Sequence, residues 1–130
     1  MQKKFSQWSI QKANLHSEST VAYYHEREIW WCALGVNIGF EQDGTGENFD
    51  IPVVILRGFN THTFFAVALT GRKKAGAFYF YLGKVDDRDA TAILSQVRIL
   101  DTKRLIKKIG TLHISTFQDL KNACKDILFP

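Results

Sequence analysis

The stretch that decides the fold runs from residue 52 to residue 70: Pro-Val-Val-Ile-Leu-Arg-Gly-Phe-Asn-Thr-His-Thr-Phe-Phe-Ala-Val-Ala-Leu-Thr. Its first five residues predict a strand, and proline is tolerated at the first position because its missing N–H needs no partner there. The residues from Gly58 to Thr61 predict a turn. The apolar run from Thr63 to Thr70 predicts the partner strand. A tight turn between two such runs indicates an antiparallel hairpin.

Other apolar runs extend this hairpin into a larger sheet. The residues from Glu28 to Leu34 predict a buried strand because they are rich in aromatic side chains. Further strands are predicted over residues 77–82, 92–99 and 109–112. The run from Asp86 to Asp89 mixes both signs of charge, which is typical of a solvated loop. The sequence therefore predicts a curled, mostly antiparallel sheet.

A helix is predicted at each end of the chain. Residues 5–16 place their apolar side chains on one stripe. At the other end, Ser115 and Gln118 match the spacing of a capping box that begins a helix ending near Leu128. Four apolar residues then recur at helical spacing and predict the face that packs on the sheet: Phe117, Leu120, Cys124 and Ile127. These elements predict one α+β domain over residues 1–130, with residues 1–20 as an N-terminal helical extension.

The placement of charge suggests a polyanionic partner. The chain has 17 basic and 13 acidic residues, giving a net charge of +4. Basic residues cluster in the run Arg72-Lys73-Lys74 and again between Arg98 and Lys108. Clustered cations suit RNA, because neutralising phosphates releases counterions. A solvated basic face is the alternative, and charge alone leaves both interpretations open.

Composition also bounds the compartment and the chemistry. The two cysteines, Cys32 and Cys124, form no CxxC pair, which suits a reducing cytosol. No signal peptide and no run long enough to cross a membrane are found, so a cytoplasmic protein is expected. The sequence has no GxSxG elbow, P-loop or HExxH motif, and its four histidines lack metal-ligand spacing. We therefore expect no metal and no cofactor.

Four separated segments resemble the PemK/MazF toxins in the order that family has them. They are Glu28–Trp31; Ile38–Gln42 leading into Pro52–Ile55; Val67–Thr70; and Ser95–Asp101 followed by Lys103-Arg104-Leu105 and Ile109-Gly110. Each segment is weak by itself, and the ordered set is more specific. The resemblance implies the small SH3-like barrel of mostly antiparallel strands shared by PemK, MazF and CcdB-like toxins.

The resemblance also implies an activity and partners. Members of this family are bacterial cytoplasmic homodimers that cut single-stranded RNA at short sequences without a metal. The implied reaction is attack of a ribose 2′-OH on the adjacent phosphate, leaving a cyclic phosphate and a free 5′-OH. A cognate antitoxin protein holds such a toxin in check.

Carried over residue by residue, the family pattern makes Thr70 the catalytic threonine. The family arginine before the Pro-Val strand falls at Ile51, which offers neither a donor nor a charge. Losing one such donor costs on the order of 100- to 1,000-fold in rate. Arg72 is the preferred stand-in, because it follows Thr70 closely.

The same pattern predicts residues that bind RNA. Ser95 stands where several relatives carry an acid, and a serine hydroxyl cannot replace a carboxylate base. Gln96 could hydrogen-bond a splayed base edge. The full predicted RNA-binding set is Glu41, Gln42, Lys73, Ser95, Gln96 and Arg98.

Two other functions are compatible with the sequence. The isoleucine at position 51 favours a catalytically silent module of the same fold that binds RNA or an antitoxin. A toxin of this fold could also act on a protein target, as a related gyrase-poisoning family does. Thr70 and the basic run after it favour the RNA-cleaving toxin.

Overall fold

The computed structural model describes residues 23–34 and 50–130. The predicted N-terminal helix lies outside the described residues, and so do Glu41 and Gln42. The described part forms six strands and a C-terminal helix. They are β1 (Glu28–Ala33), β2 (Asp50–Gly58), β3 (Thr63–Thr70), β4 (Tyr79–Val85), β5 (Arg88–Asp101), β6 (Leu105–Thr111) and α1 (Ile114–Leu128).

The strands form one antiparallel sheet in the order β4-β5-β3-β2-β1-β6. The predicted hairpin is confirmed as β2 and β3, which lie at the centre of the sheet. The sheet curls into a half-barrel, so its edge strands β4 and β6 approach each other across a seam lined by Leu82, Val85 and Ile109. A 3₁₀ turn from Thr102 to Arg104 links β5 to β6.

The two faces of the sheet carry two separate apolar clusters. Side chains alternate between faces along a strand, so Val54 and Leu56 point one way while Val53 and Ile55 point the other. The first pair packs in the cluster under α1. The second pair belongs to a cluster on the opposite face, with Phe64 among its buried members. This division fixes the face to which each functional side chain belongs.

The helix α1 packs as the periodicity predicts, but it begins differently. Phe117, Leu120 and Cys124 are buried, and Ile127 packs against the same cluster. The predicted capping box is wrong. The N-cap is His113, whose Nδ1 accepts a hydrogen bond from the Ser115 backbone N–H at 3.2 Å. An imidazole nitrogen can satisfy a free N–H of the first turn as an oxygen does, and the capping-box pattern does not consider it.

The charged stretch after β4 is a tight turn rather than a loop. Asp86 and Asp87 are its two central residues, with φ of 53° and 65°, and Val85 pairs with Arg88 across it. Positive φ at both positions marks a type I′ hairpin turn, whose twist matches that of the flanking strands. Arg88 and Asp89 therefore begin β5, and the prediction of a solvated loop is wrong for them.

Candidate functional site

Thr70 and Ile51 are neighbours across the central hairpin. Val53 pairs with Ala68, and continuing that register by two residues places Ile51 opposite Thr70. Residues directly opposite each other share a face, with Cβ atoms about 4.5–5.5 Å apart. The pairing continues on both sides and defines a line of side chains that we term the Thr70 row: Cys32, Ile51, Thr70, Thr91 and Tyr81.

The Ile51 end of the Thr70 row is apolar and closed to solvent. Ile51 is 0 % exposed and packs in the cluster of the face opposite α1. Its neighbour Cys32 is equally buried, and burial raises the pKa of the Cys32 thiol to about 12. Thr70 itself is 8 % exposed. The side chain at position 51 thus gives Thr70 no charge and no hydrogen-bond donor.

The other end of the Thr70 row carries the first basic run. The buried Thr91 hydroxyl donates to the Arg72 carbonyl oxygen at 2.7 Å and accepts from the Lys74 backbone N–H at 3.2 Å. These two bonds fold the segment after Thr70 back over the row. One buried threonine therefore anchors the predicted stand-in Arg72 and its basic neighbours beside Thr70.

Two lysines of this segment lie over two tyrosines of β4. The Lys73 Nζ is 4.8 Å from the centre of the Tyr81 ring, and the Lys74 Nζ is 5.4 Å from that of Tyr79. Tyr79 and Tyr81 are two residues apart on a strand, so their rings share one face about 7 Å apart. We term these four residues the lysine–tyrosine strip. Sequence reasoning found Lys73 but missed the tyrosines, although their alternation within β4 was a visible signal.

The carboxylate beside the lysine–tyrosine strip is already engaged. The Tyr81 hydroxyl donates to Asp89 Oδ1 at 2.7 Å, and Lys84 Nζ lies 3.5 Å from the same oxygen. The hydrogen bond from Tyr81, followed by the charge of Lys84, holds the pKa of Asp89 below its ordinary value. The strip therefore keeps a positive balance despite this acid.

The remaining described residues of the predicted RNA-binding set lie farther along β5. Arg98 pairs with Ala66, which places it on the face of Thr70. Four residues of strand separate Ala66 from Thr70, so Arg98 lies about 13 Å away along the sheet. Gln96 follows the same alternation, and Ser95 is exposed near a register shift in β5. The structure puts these residues on or near the same surface but not beside Thr70.

A cavity of about 340 Å³ opens where β2 begins and β3 ends, at the seam of the half-barrel. We term it the seam cavity. Thr70 contributes to its wall, as do Trp31 from β1 and Ile109 from β6. The turn between β4 and β5 supplies Asp86 and Arg88, and Arg88 is the one cation among the described residues that line it. Sequence reasoning missed this cavity because its walls come from all six strands and a turn.

The described residues offer neither a cluster of metal ligands nor a membrane-spanning helix. In the ranges 23–34 and 50–130 no group of three or more histidine, cysteine, aspartate or glutamate side chains could hold a metal ion. No helix within those ranges is long and apolar enough to cross a membrane.

Comparison with known proteins decides the family. Residues 25–128 match the family model of the PemK-like, MazF-like toxins of type II toxin–antitoxin systems. The chain belongs to this family. The match covers every described residue of the Thr70 row, and it confirms the resemblance seen in the sequence. A search of the curated proteins finds no match.

Solved structures of the PemK-like, MazF-like group share the fold. MazF from Deinococcus radiodurans superimposes with a TM-score of 0.65 at 16% identity, covering 82% of this chain and 98% of that one. An endoribonuclease from a mycobacterial species, described in complex with its cognate antitoxin, gives 0.62 at 16%, covering 83% and 98%. A further solved structure of an endoribonuclease from a mycobacterial species gives a TM-score of 0.61 at 15% identity, covering 83% of this chain and 93% of that one. The predicted α+β barrel fold is thus confirmed, with α1 at its C-terminal end.

Proposed function

We propose that this chain is the toxin of a type II toxin–antitoxin pair and cuts single-stranded RNA at short sequences without a metal. The observation that carries the proposal is the Thr70 row, in which Thr70, 8 % exposed, lies beside a basic segment anchored by Thr91. Family membership supports it, as do relatives that are themselves described as endoribonucleases. We further propose that it acts as a homodimer in the bacterial cytoplasm.

The reaction needs groups that stabilise charge on the phosphoryl oxygens. The 2′-OH of one nucleotide gives up its proton to water and attacks its own 3′-phosphate, which forms a 2′,3′-cyclic phosphate. The bond to the next 5′-oxygen breaks, and that oxygen takes up a proton from water to leave as a free 5′-OH. Thr70 donates a hydrogen bond to the phosphate. Ile51 provides no hydrogen-bond donor. The second donor to the phosphate is therefore Arg72, whose guanidinium makes a charge-assisted hydrogen bond to it. An exposed arginine is less well fixed than a buried one, so this toxin is attenuated.

Binding of the RNA uses the lysine–tyrosine strip. A base stacked on an aromatic ring contributes about 1–3 kcal/mol, whereas a lysine over an exposed ring contributes about 0.5–1 kcal/mol. A base can therefore displace Lys73 or Lys74 from its ring, and the freed ammonium group then meets a phosphate. Arg98 and Gln96 extend the contact along β5 on the same face.

The partner that restrains this activity is a cognate antitoxin protein. The exposed cations of residues 72–74 favour an acidic segment laid over the RNA-binding face. One relative of the same fold is described in complex with its cognate antitoxin. An antitoxin bound here would exclude RNA by occupying the same cations.

A second candidate function is a catalytically silent module that binds RNA or an antitoxin. The observation in its favour is the complete burial of Ile51 among apolar side chains, which leaves the family's charged position filled by packing. In this alternative the basic segment binds, and Thr70 has no reaction to support.

One experiment separates the two. The purified chain is incubated with a long single-stranded RNA in EDTA, and the 5′ ends of the fragments are sequenced. We expect cuts at a short sequence that leave 5′-OH ends, with Thr70→Ala and Arg72→Gln each slowing the reaction on the order of 100-fold or more. Arg57→Gln is the matched control, since Arg57 is an exposed strand arginine outside the site. No cutting by the unchanged chain, with RNA binding intact, would leave the silent module as its function.

A further inference from the structure

The seam cavity has the form of a small-molecule site rather than a packing defect. Its walls are apolar, with Trp31, Pro52 and Ile109 among them. Its rim is polar and carries Asp86 and Arg88. Apolar walls with a few converging polar groups are typical of pockets that bind planar organic ligands, and 340 Å³ lies at the lower end of their size range.

The mixed charge of the rim argues against a phosphate as the ligand. A phosphate needs donors only, and the Asp86 carboxylate can only accept hydrogen bonds and repels an anion. The edge of a nucleobase presents donors and acceptors together, so a carboxylate beside a guanidinium complements it. Asp89 also lines the cavity, but its carboxylate is held by Tyr81 and Lys84.

The turn that supplies Asp86 holds a strained backbone. Both central residues adopt the left-handed region, where a non-glycine residue costs roughly 1–2 kcal/mol and Asn-Gly is the preferred pair. Aspartate tolerates this region better than most residues, so the two aspartates are compatible with the turn. The turn fixes the Asp86 backbone tightly and delivers Arg88 at the start of β5.

We propose that the seam cavity binds one nucleobase of the RNA, and that the base is guanine. Trp31 stacks on the base, as aromatic side chains do with splayed single-stranded bases. Arg88 donates to guanine O6 and N7, which is the pairing that arginine makes most often. Asp86 accepts from guanine N1–H and the N2 amino group. Adenine, cytosine and uracil each lack at least one of these partners.

The cavity and the reaction site are joined by Thr70, which belongs to both. A guanine held in the seam cavity therefore fixes an adjacent phosphate near the Thr70 hydroxyl. Binding of guanine in the seam cavity would thus determine the sequence at which the RNA is cut. The inference rests on the proposed RNA substrate, but its test does not require cleavage.

The test is a titration of the full chain with the 5′-monophosphates of guanosine, adenosine, cytidine and uridine, followed by two-dimensional ¹H–¹⁵N NMR. All four ligands carry the same phosphate, so differences between them report on the base. We expect the guanosine nucleotide to bind about tenfold or more tightly than the others. The Trp31 indole N–H signal should shift with it.

Neighbouring residues provide matched variants. Asp86→Asn keeps a residue that tolerates positive φ, removes the charge and should reduce the preference for guanine about tenfold. Asp87→Asn makes the same change one residue along, outside the cavity lining, and should leave the preference unchanged. Arg88→Gln should weaken guanosine binding in the same way, while Arg57→Gln should not.

Several outcomes would overturn the proposal. Equal affinity for all four nucleotides would do so, as would equal effects of Asp86→Asn and Asp87→Asn, or signals that shift only around Lys73 and Lys74. If the chain binds guanine but does not cleave RNA, the proposed guanine site is supported and the proposed ribonuclease activity is contradicted. If the chain cleaves RNA at sites without a preferred guanine, and Asp86→Asn does not change this, the ribonuclease activity is supported and the guanine site is contradicted.

Discussion

The two ends of the Thr70 row differ sharply although they lie on one face of one sheet. At one end Ile51 and Cys32 are wholly buried and uncharged. At the other, Thr91 anchors exposed cations that lie over Tyr79 and Tyr81. The difference shows that the position before Pro52 serves packing, whereas the segment after Thr70 brings cations to the other end of the row.

The largest effect is expected from placing the family's arginine at position 51. Ile51→Arg puts an unpaired guanidinium into a fully apolar cluster, so the free energy of unfolding should fall by about 3–5 kcal/mol, measured by urea denaturation. Ile51→Val is the control and should cost about 0.5–1.5 kcal/mol.

A stable Ile51→Arg variant that cuts RNA faster would contradict this account. It would mean that the guanidinium reaches solvent beside Thr70, and that the two ends of the row can be made alike. The denaturation and cleavage measurements therefore need to be made on the same preparation.

The next effect concerns the anchor between the two ends. Thr91→Val keeps the shape of the side chain but leaves the Lys74 N–H and the Arg72 carbonyl without their buried partner. We expect a loss of about 1–3 kcal/mol in the free energy of unfolding and slower RNA cleavage. Thr91→Ser retains the hydroxyl and should retain most of the cleavage rate. Normal cleavage by Thr91→Val would show that residues 72–74 need no anchor.

A smaller effect is expected at the charged end, in the salt dependence of RNA binding. Replacing Lys73 and Lys74 by glutamine should lower the slope of log K against log salt by about 1.4, since each phosphate contact on a single strand contributes about 0.7. The binding is measured by fluorescence anisotropy with a 2′-O-methyl oligonucleotide, which cannot be cut.

The matched control for these lysines lies on α1. Lys121 also lies over an aromatic ring, that of Phe117, and Lys125 is one turn farther along. Replacing that pair by glutamine removes the same charge far from the Thr70 row. If the two double variants show equal slopes of log K against log salt, Lys73 and Lys74 contribute only general electrostatic attraction and no specific phosphate contacts.

The smallest effect is expected for the pKa of Asp89, the acid at the charged end of the row. The hydrogen bond from Tyr81 is the main reason that the pKa of Asp89 is lowered, so Tyr81→Phe should raise the Asp89 pKa toward its ordinary value in a ¹³C NMR titration. A lowered pKa stabilises the fold above the ordinary pKa of the carboxyl group, and this contribution is lost as pH falls through the lowered value. The acid side of the stability profile should therefore flatten in Tyr81→Phe. An unchanged Asp89 pKa would assign the shift to Lys84 instead.

Prediction from the sequence succeeded where the signal is local. The strand from Thr63 to Thr70 was predicted with the bounds that the structure shows, because an uninterrupted apolar run ends at Gly71. The buried stripe of α1 followed from helical spacing. Failures occurred where an unexpected partner supplies the interaction, as with the His113 cap, or where two unlikely residues adopt positive φ, as at Asp86 and Asp87.

The sequence by itself determined the family and the antiparallel hairpin at the centre of the sheet, because both depend on residue order and local periodicity. Only the tertiary structure decided what surrounds Thr70. The strand register set Ile51 and Thr91 on either side of it, and curling of the sheet brought the β4–β5 turn to Trp31 and Ile109. Alternation along a strand predicts the face of the sheet on which each side chain lies. Which side chains become neighbours across distant strands depends on the register of pairing, and no single segment of the chain specifies that register.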